Sequence, residues 1–130
     1  MEVSGRATLS VEHCGYSGDG PGGVSLDYPQ GLALDPAGNV LIADTGNNCI
    51  RKVDRAGVHS RFAGRCGPRS TFRSLGDGGP AVDADLAHPH GAAADNEGNV
   101  YIADTGNWRI RKVDVNGVIT TVAELSRPKP

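Results

Sequence analysis

Residues 31–48 read GLALDPAGNVLIADTGNN, and residues 91–108 read GAAADNEGNVYIADTGNW. The second stretch follows the first at an offset of 91 − 31 = 60 residues, and the same offset carries IRKVD at 50–54 onto IRKVD at 110–114. A repeat with a fixed period indicates a chain built from copies of one structural unit.

Each repeat unit contains four apolar runs of strand length. The runs cover 31–35, 39–43, 48–54 and 58–63 in the first unit, and 91–95, 99–103, 108–114 and 118–123 in the second. Gly, Pro, Asn and Asp separate them, which favours hairpin connections. No segment of a dozen residues keeps helical apolar spacing without a Gly or Pro, so little helix is expected. Each unit is therefore predicted to be a four-stranded antiparallel sheet, a propeller blade whose two faces pack on neighbouring blades.

A further strand is predicted ahead of the first unit, because residues 7–11 alternate like the last run of each repeat. We interpret it as the outer strand of a preceding blade. The predicted organisation is a single repeat region over 1–130, with this outer strand within 6–15, blade 1 at 29–64, an inter-blade loop at 65–88, blade 2 at 89–124 and a tail at 125–130.

The stretch 31–48 resembles the NHL repeat, and 91–108 agrees with it nearly as well. The segments GDGP at 18–21 and GDGGP at 76–80 resemble inter-blade segments of NHL arrays. The resemblance implies an all-β, six-bladed β-propeller, of which this sequence supplies two blades and a strand. We expect either a part of a longer propeller or a ring completed by an oligomer, with self-association through the exposed blade faces.

Charge and hydropathy argue against nucleic acid and membranes as partners. The 130 residues carry a formal net charge of −2, and no stretch of 18 apolar residues occurs. The N-terminus lacks the apolar core of a signal peptide, and the sequence leaves the compartment open. A basic band could form from the repeated Arg51-Lys52 and Arg111-Lys112 pairs with Arg61, Arg65, Arg69 and Arg73. Strand alternation instead sends the members of each Arg-Lys pair to opposite faces, so RNA binding is not favoured.

The three cysteines, Cys14, Cys49 and Cys66, show no CxxC spacing. An odd number of cysteines cannot form a complete set of disulfides. We therefore expect reduced thiols.

Antiparallel connectivity gathers the inter-blade loops and the turn after the second strand of each blade at one end of the molecule. This end, here called the loop end, is predicted to hold the turns 44–48 and 104–108 and the loops 12–28 and 64–88. Long loops on a rigid scaffold are where binding sites concentrate. The candidate ligand-binding residues are Asp44, Asn47, Asn48, His90, Asp104, Asn107 and Trp108.

Several of these candidates also have a structural interpretation. Asp44 and Asp104 each precede Thr-Gly-Asn, where a carboxylate can accept backbone N–H groups and close the turn. Asn47 and Asn107 suit a positive φ in that turn. Trp108 is expected to fill the seam between blades.

The segment His88-Pro89-His90 has the one spacing that suits a metal ion. Alternate residues of an extended segment project to the same side, so both imidazoles could reach one ion. No third ligand is evident, and Pro89 sets the chain direction before a strand. We predict no catalytic residue, metal or cofactor, with His88 and His90 as the candidates if a metal were bound.

The first functional hypothesis is a non-catalytic scaffold that binds a protein, or else a peptide or glycan, through the loop end. The alternatives are part of a propeller enzyme of the metal-dependent lyase or hydrolase type, or an RNA-binding NHL domain. No Ser-His-Asp or Cys-His arrangement can be placed in the sequence, which favours the first hypothesis.

Overall fold

The computed structural model describes residues 2–3, 7–10, 24–68 and 75–125, with side chains described within 26–68 and 75–125. Regular structure in these ranges consists of eleven strands and three one-turn 3-10 helices. No helix in the described part of the chain has the length and apolar character to cross a membrane.

Three short strands near the N-terminus form a small sheet. They are β1 (Glu2–Val3), β2 (Ala7–Ser10) and β3 (Val24–Ser25), with β2 antiparallel to β1 and parallel to β3. The predicted strand at 7–11 is therefore present as β2. Its assignment to a preceding blade stays a prediction.

The two repeat units form two four-stranded antiparallel sheets, each in chain order. Blade 1 contains β4 (Pro29–Leu34), β5 (Val40–Asp44), β6 (Cys49–Val53) and β7 (His59–Ala63). Blade 2 contains β8 (Gly91–Ala94), β9 (Val100–Asp104), β10 (Arg109–Val113) and β11 (Ile119–Glu124). The predicted all-β architecture of two antiparallel blades is confirmed.

The first hairpin of each blade is closed by an Asp-Asn pair. Asp35 accepts the backbone N–H and the side-chain amide of Asn39, both at 2.8 Å. Asp95 and Asn99 repeat these contacts at 2.9 and 3.0 Å. Gly38 supplies the positive φ, 88°, that the turn between these residues needs.

The main core lies between the two blades. It contains Leu41, Ala43, Ile50 and Ala63 of blade 1, Val100, Ile102, Val113 and Ile119 of blade 2, and Ala81, Ala84 and Leu86 of the inter-blade segment. Burial of each large apolar side chain stabilises the fold by about 1.5–3 kcal/mol. The two blades are thus held together by the apolar side chains on the faces that they turn towards each other.

The register confirms that each Arg-Lys pair is split between faces. Arg51 lies opposite Ile42, and Lys52 lies opposite Leu41. Arg51 and Arg111 are buried, whereas Lys52 is half-buried. The arginines therefore belong to the interior of the blades.

The expectation of reduced thiols is wrong for two of the three cysteines. Cys49, at the start of β6, forms a disulfide with Cys66, 17 residues further on, with the Cα atoms 4.9 Å apart. The loop after β7 folds back onto the turn before β6, and Gly67 N–H donates to Asn47 O at 2.8 Å. The spacing of the cysteines in the sequence does not reveal that the two residues come close in space. Cys14 lies outside the described residues.

Replacement of Cys49 and Cys66 together by alanine is expected to lower the free energy of unfolding by about 3 kcal/mol, since the bridge closes a loop of this size in the unfolded chain. Denaturant unfolding with and without a thiol reductant measures the effect. The double variant serves as the control, because its midpoint should not respond to the reductant. A wild-type unfolding midpoint that also does not change when the reductant is added would contradict the presence of the bridge.

Acid is expected to weaken the first hairpin of each blade. Partial burial raises the pKa of Asp35, but hydrogen bonds from Asn39 outweigh it and leave the pKa below its usual value. The side-chain hydrogen bond from Asn99 is the main cause of the lowered pKa of Asp95. A lowered folded-state pKa gives stability that is complete above the unfolded-state pKa of about 3.9 and is lost as the pH falls through the folded-state value.

Thermal midpoints measured from neutral pH to about pH 2 should fall below about pH 4 in the wild type, and fall less in Asp35→Asn/Asp95→Asn. Glu97→Gln changes a carboxylate in the same hairpin and is the matched control. Identical acid profiles for the double variant and the wild type would contradict this account.

Candidate functional site

The Asp-Thr-Gly-Asn turn of each blade is built around a fully buried carboxylate. In blade 1, Asp44 Oδ2 accepts the side-chain amide of Asn47 at 2.9 Å and Nε of Arg51 at 3.0 Å. The equivalent contacts in blade 2 join Asp104 to Asn107 at 2.9 Å and to Nη1 of Arg111 at 3.0 Å. Each carboxylate therefore closes its turn with side-chain donors rather than with the backbone N–H groups of the turn itself.

The second oxygen of each carboxylate binds the chain that leads into the blade. Asp27 N–H donates to Asp44 Oδ1 at 2.8 Å, and Gly46 N–H donates to Asp27 O at 2.7 Å. Ala87 is held in the same way by Asp104 Oδ1 at 2.8 Å and Gly106 N–H at 2.7 Å. A Cβ on Gly106 would lie 2.7 Å from Ala87, so this close approach requires glycine.

Residues 87–90, here called the lead-in segment of blade 2, are also held by blade 1. Thr45 Oγ1 donates to Pro89 O at 2.7 Å, and His88 N–H donates to Asn48 Oδ1 at 3.0 Å. Within blade 2, His90 N–H donates to Ala103 O at 3.1 Å. Together with the contacts of Ala87, these hydrogen bonds hold the backbone of all four residues of the lead-in segment.

The fixed backbone presents the two histidine side chains to solvent. Pro89 is buried, whereas His88 and His90 on either side of it are exposed. His88 has φ 46°, and its repeat equivalent Tyr28 has φ 51°, although residues before proline rarely adopt the left-handed region. The surrounding hydrogen bonds keep His88 in this uncommon conformation.

The left-handed residues of the two turns are not those expected from the sequence. Asn48 and Trp108 have φ of 60° and 55°, whereas Asn47 and Asn107 lie within the 3-10 turns Thr45–Asn47 and Thr105–Asn107. The expectation for Asn47 and Asn107 is wrong, because their amides are committed to the buried carboxylates one turn earlier. The chain reverses at the residue after them.

The candidate residues differ in exposure. Asp44, Asn47, Asn48 and Asp104 are buried, Asn107 and Trp108 are half-buried, and His90 is exposed. Thr45 and Arg51 were not among the candidates, although both recur at the 60-residue offset, as Thr105 and Arg111. Repetition of polar residues at the 60-residue offset is the signal that could have identified them.

Arg111 also anchors the middle of the inter-blade loop. Its Nη2 donates to Asp77 Oδ1 at 2.9 Å and to the carbonyl of Leu75. In the residues whose side chains the structure describes, no group of three or more His, Cys, Asp or Glu could hold a metal ion.

Two family models match separate parts of the chain. The model described as the teneurin NHL domain matches residues 59–128, and the NHL repeat matches residues 26–53. Solved structures share the fold. An auxiliary nutrient binding protein from Bacteroides thetaiotaomicron aligns at TM-score 0.56 and 27% identity, over 81% of this chain and 26% of that chain. A streptogramin B lyase aligns at TM-score 0.55 and 19% identity, over 77% and 27%.

Among curated proteins, human teneurin-1 is 49% identical over 102 residues, and mouse teneurin-3 is 36% identical over 102 residues. Each alignment covers 70% of this chain and 4% of the relative, so the chain spans a small part of their length. The family match extends over more than half of the chain, across blade 2 and the inter-blade loop. The chain belongs to the NHL-repeat proteins, in the family of the teneurin NHL domain.

Proposed function

We propose that this chain is a non-catalytic scaffold that binds a protein partner through its loop end, with His90 and His88 making the central contacts. The observation that carries the proposal is the lead-in segment. Its backbone is fixed at four consecutive residues while both imidazoles are exposed. A surface ordered before binding loses little conformational entropy when a partner docks, and this favours affinity.

The buried candidates support this surface rather than touch a partner. Asp44 and Asp104 have both carboxylate oxygens occupied by partners within the chain. Asn48 is held on one side by Gly67 O at 3.1 Å and on the other by His88 N–H. We assign them the role of positioning the lead-in segment, with Asn107 and Trp108 at the margin of the binding surface.

Exposed imidazoles suit a protein or peptide surface. Each ring offers a donor or an acceptor at either nitrogen and an aromatic face for stacking. Tyr28, 68% exposed, repeats this arrangement at the start of blade 1. A partner that presents carboxylate or carbonyl acceptors and planar side chains matches this chemistry.

The burial and pairing of the arginine side chains give RNA recognition less support than protein binding. Arg51 and Arg111 are buried against carboxylates, and Arg65 lies 3.7 Å from Asp85 and donates to Asp83 O. Arg51 and Arg111 are therefore not available for a continuous basic face, and the exposed Arg65 is already paired with an acidic neighbour. Arg69 and Arg73 lie outside the described residues.

Selection against a displayed library of protein fragments tests the proposal. The dissociation constants of selected binders are then measured on the wild type, on His88→Ala/His90→Ala and on Asn96→Ala/Glu97→Ala. The last variant changes exposed residues in the β8–β9 hairpin, at the opposite end of blade 2, and is the matched control. Circular dichroism verifies that all three chains fold alike.

Binders of the loop end should lose at least about ten-fold in affinity, or 1.4 kcal/mol, on the histidine variant and be unaffected by the control. Binders that respond only to the control variant would contradict the proposed surface.

Metal analysis of the purified chain addresses the enzyme alternative. Stoichiometric zinc or calcium that is lost in His90→Ala would overturn the non-catalytic assignment.

A further inference from the structure

The Cys49–Cys66 disulfide lies beside the residue that holds the lead-in segment. Cys49 directly follows Asn48, whose Oδ1 accepts the backbone N–H of His88 at 3.0 Å. Cys66 directly precedes Gly67, whose carbonyl accepts the side-chain amide of Asn48 at 3.1 Å. The bridge therefore joins the two chain segments whose hydrogen bond orients the Asn48 side chain, and the other end of that side chain holds His88.

The loop that carries Cys66 has an uncommon backbone conformation. Gly64, Cys66 and Gly67 have φ of 87°, 55° and 118°. Glycine adopts a positive φ without strain, whereas a residue with a Cβ rarely does so. Such a conformation persists where the surrounding contacts impose it. The disulfide is a covalent contact at Cys66 itself, so reduction of the bridge favours relaxation of the loop at this residue.

The same loop crosses the start of β6 at close range. A Cβ on Gly64 would lie 2.7 Å from Asn48 O and 3.0 Å from Cys49 Cα. Further along the loop, Gly67 N–H donates to Asn47 O at 2.8 Å. Because the two segments are in contact along this crossing, a movement of the loop changes the surroundings of Asn48.

The bridge and the Asn48 contact occur together in blade 1, and the repeat replaces both in blade 2. At the 60-residue offset, Cys49 becomes Arg109 and Asn48 becomes Trp108. Arg109 pairs with Glu124 at 2.6 Å instead of forming a disulfide. The bridge is therefore not a requirement of the repeat unit, and it lies at the one described turn that holds a histidine of the lead-in segment.

We propose that the Cys49–Cys66 disulfide is a redox control of the loop end, in which reduction separates Gly67 from Asn48 and thereby loosens His88. Oxidation holds the Asn48 amide against Gly67 and keeps its Oδ1 directed at the lead-in segment. The consequence for binding rests on the proposed function, whereas the position of His88 is a property of the chain alone.

The reductant is a small dithiol, and the accessible sulfur is that of Cys66, which is half-buried while Cys49 is fully buried. One thiolate of the dithiol attacks Sγ of Cys66, the S–S bond breaks, and its electron pair leaves on Sγ of Cys49, which takes up a proton. The second thiol of the reagent loses its proton, attacks the mixed disulfide and releases Cys66 as a thiolate that is then protonated. The protein disulfide is reduced to two thiols, and the dithiol is oxidised to a cyclic disulfide.

Amide hydrogen exchange measured by NMR tests the coupling without a partner. On reduction with dithiothreitol, exchange of the His88 N–H should become at least about ten-fold faster, because its acceptor is no longer held. The N–H groups of Asp95 and Gly106, which donate to Asn99 O and Ala87 O, are the matched reporters away from the bridge. Their exchange should change less than about two-fold.

Two results would overturn the coupling. One is unchanged exchange at His88 in a chain that thiol titration shows to be reduced. The other is an equal acceleration at His88, Asp95 and Gly106, which would show a general loss of stability rather than a local release. Cys49→Ala/Cys66→Ala should match the reduced wild type at His88 and should not respond to dithiothreitol, which separates the loss of the bridge from other effects of the reagent.

Asn48→Gly removes the link while the bridge stays intact. Asn48 has a left-handed φ of 60°, so glycine at this position removes the side chain without backbone strain. Exchange of the His88 N–H should then be fast in both the oxidised and the reduced chain. A redox response of His88 that persists in this variant would show that the bridge acts by another route and would contradict the proposed coupling.

The dissociation constants of the binders that depend on His88 and His90 extend the test to binding. Reduction should raise these constants at least about ten-fold, whereas binders of the Asn96-Glu97 hairpin should be unaffected. Faster His88 exchange with unchanged affinity would uphold the coupling and contradict the proposed binding surface. Unchanged exchange and affinity on reduction, with affinity still lost in His88→Ala/His90→Ala, would overturn the coupling and leave the binding surface supported.

Discussion

The buried carboxylate at the end of the second strand of each blade is the interaction on which the rest of the structure depends. Asp44 joins three separate parts of the chain: the turn through Asn47, the third strand through Arg51, and the incoming segment through Asp27. Asp104 does the same in blade 2. A hairpin and the chain that precedes it are thereby fixed by one side chain.

Such a centre constrains the fold strongly because it is buried. An ion pair in the interior contributes little net stability compared with apolar residues of the same size, but removal of one partner costs about 3–5 kcal/mol. Arg51 and Arg111 therefore specify the position of each turn more than they strengthen the fold. With the turn fixed, Thr45 and Asn48 are directed at the next blade.

The sequence predicted the parts of this structure that follow from local chemistry. The 60-residue offset, the turn residues and the strand-length apolar runs were sufficient for two four-stranded blades, since each hairpin is specified within a few residues. The Cys49–Cys66 bridge was missed because it depends on how a loop folds back in space. Similarly, the positive φ falls on Asn48 rather than Asn47, since a hydrogen bond to Asp44 decides which of two adjacent asparagines can adopt it. Strand alternation predicted that Arg51 and Lys52 lie on opposite faces of blade 1, but it did not predict that Arg51 is the buried residue of the pair.

Packing and binding use different parts of the same scaffold. The apolar core residues lie on the faces of the strands, whereas the lead-in segment precedes the first strand of blade 2 and is held by backbone and polar side-chain hydrogen bonds. The exposed imidazoles of His88 and His90 are therefore positioned without the use of the residues that hold the blades together. In this arrangement the buried carboxylate of Asp104 and the polar side chains of Thr45 and Asn48 determine the shape of the proposed binding surface, because they fix the backbone from which the imidazoles project.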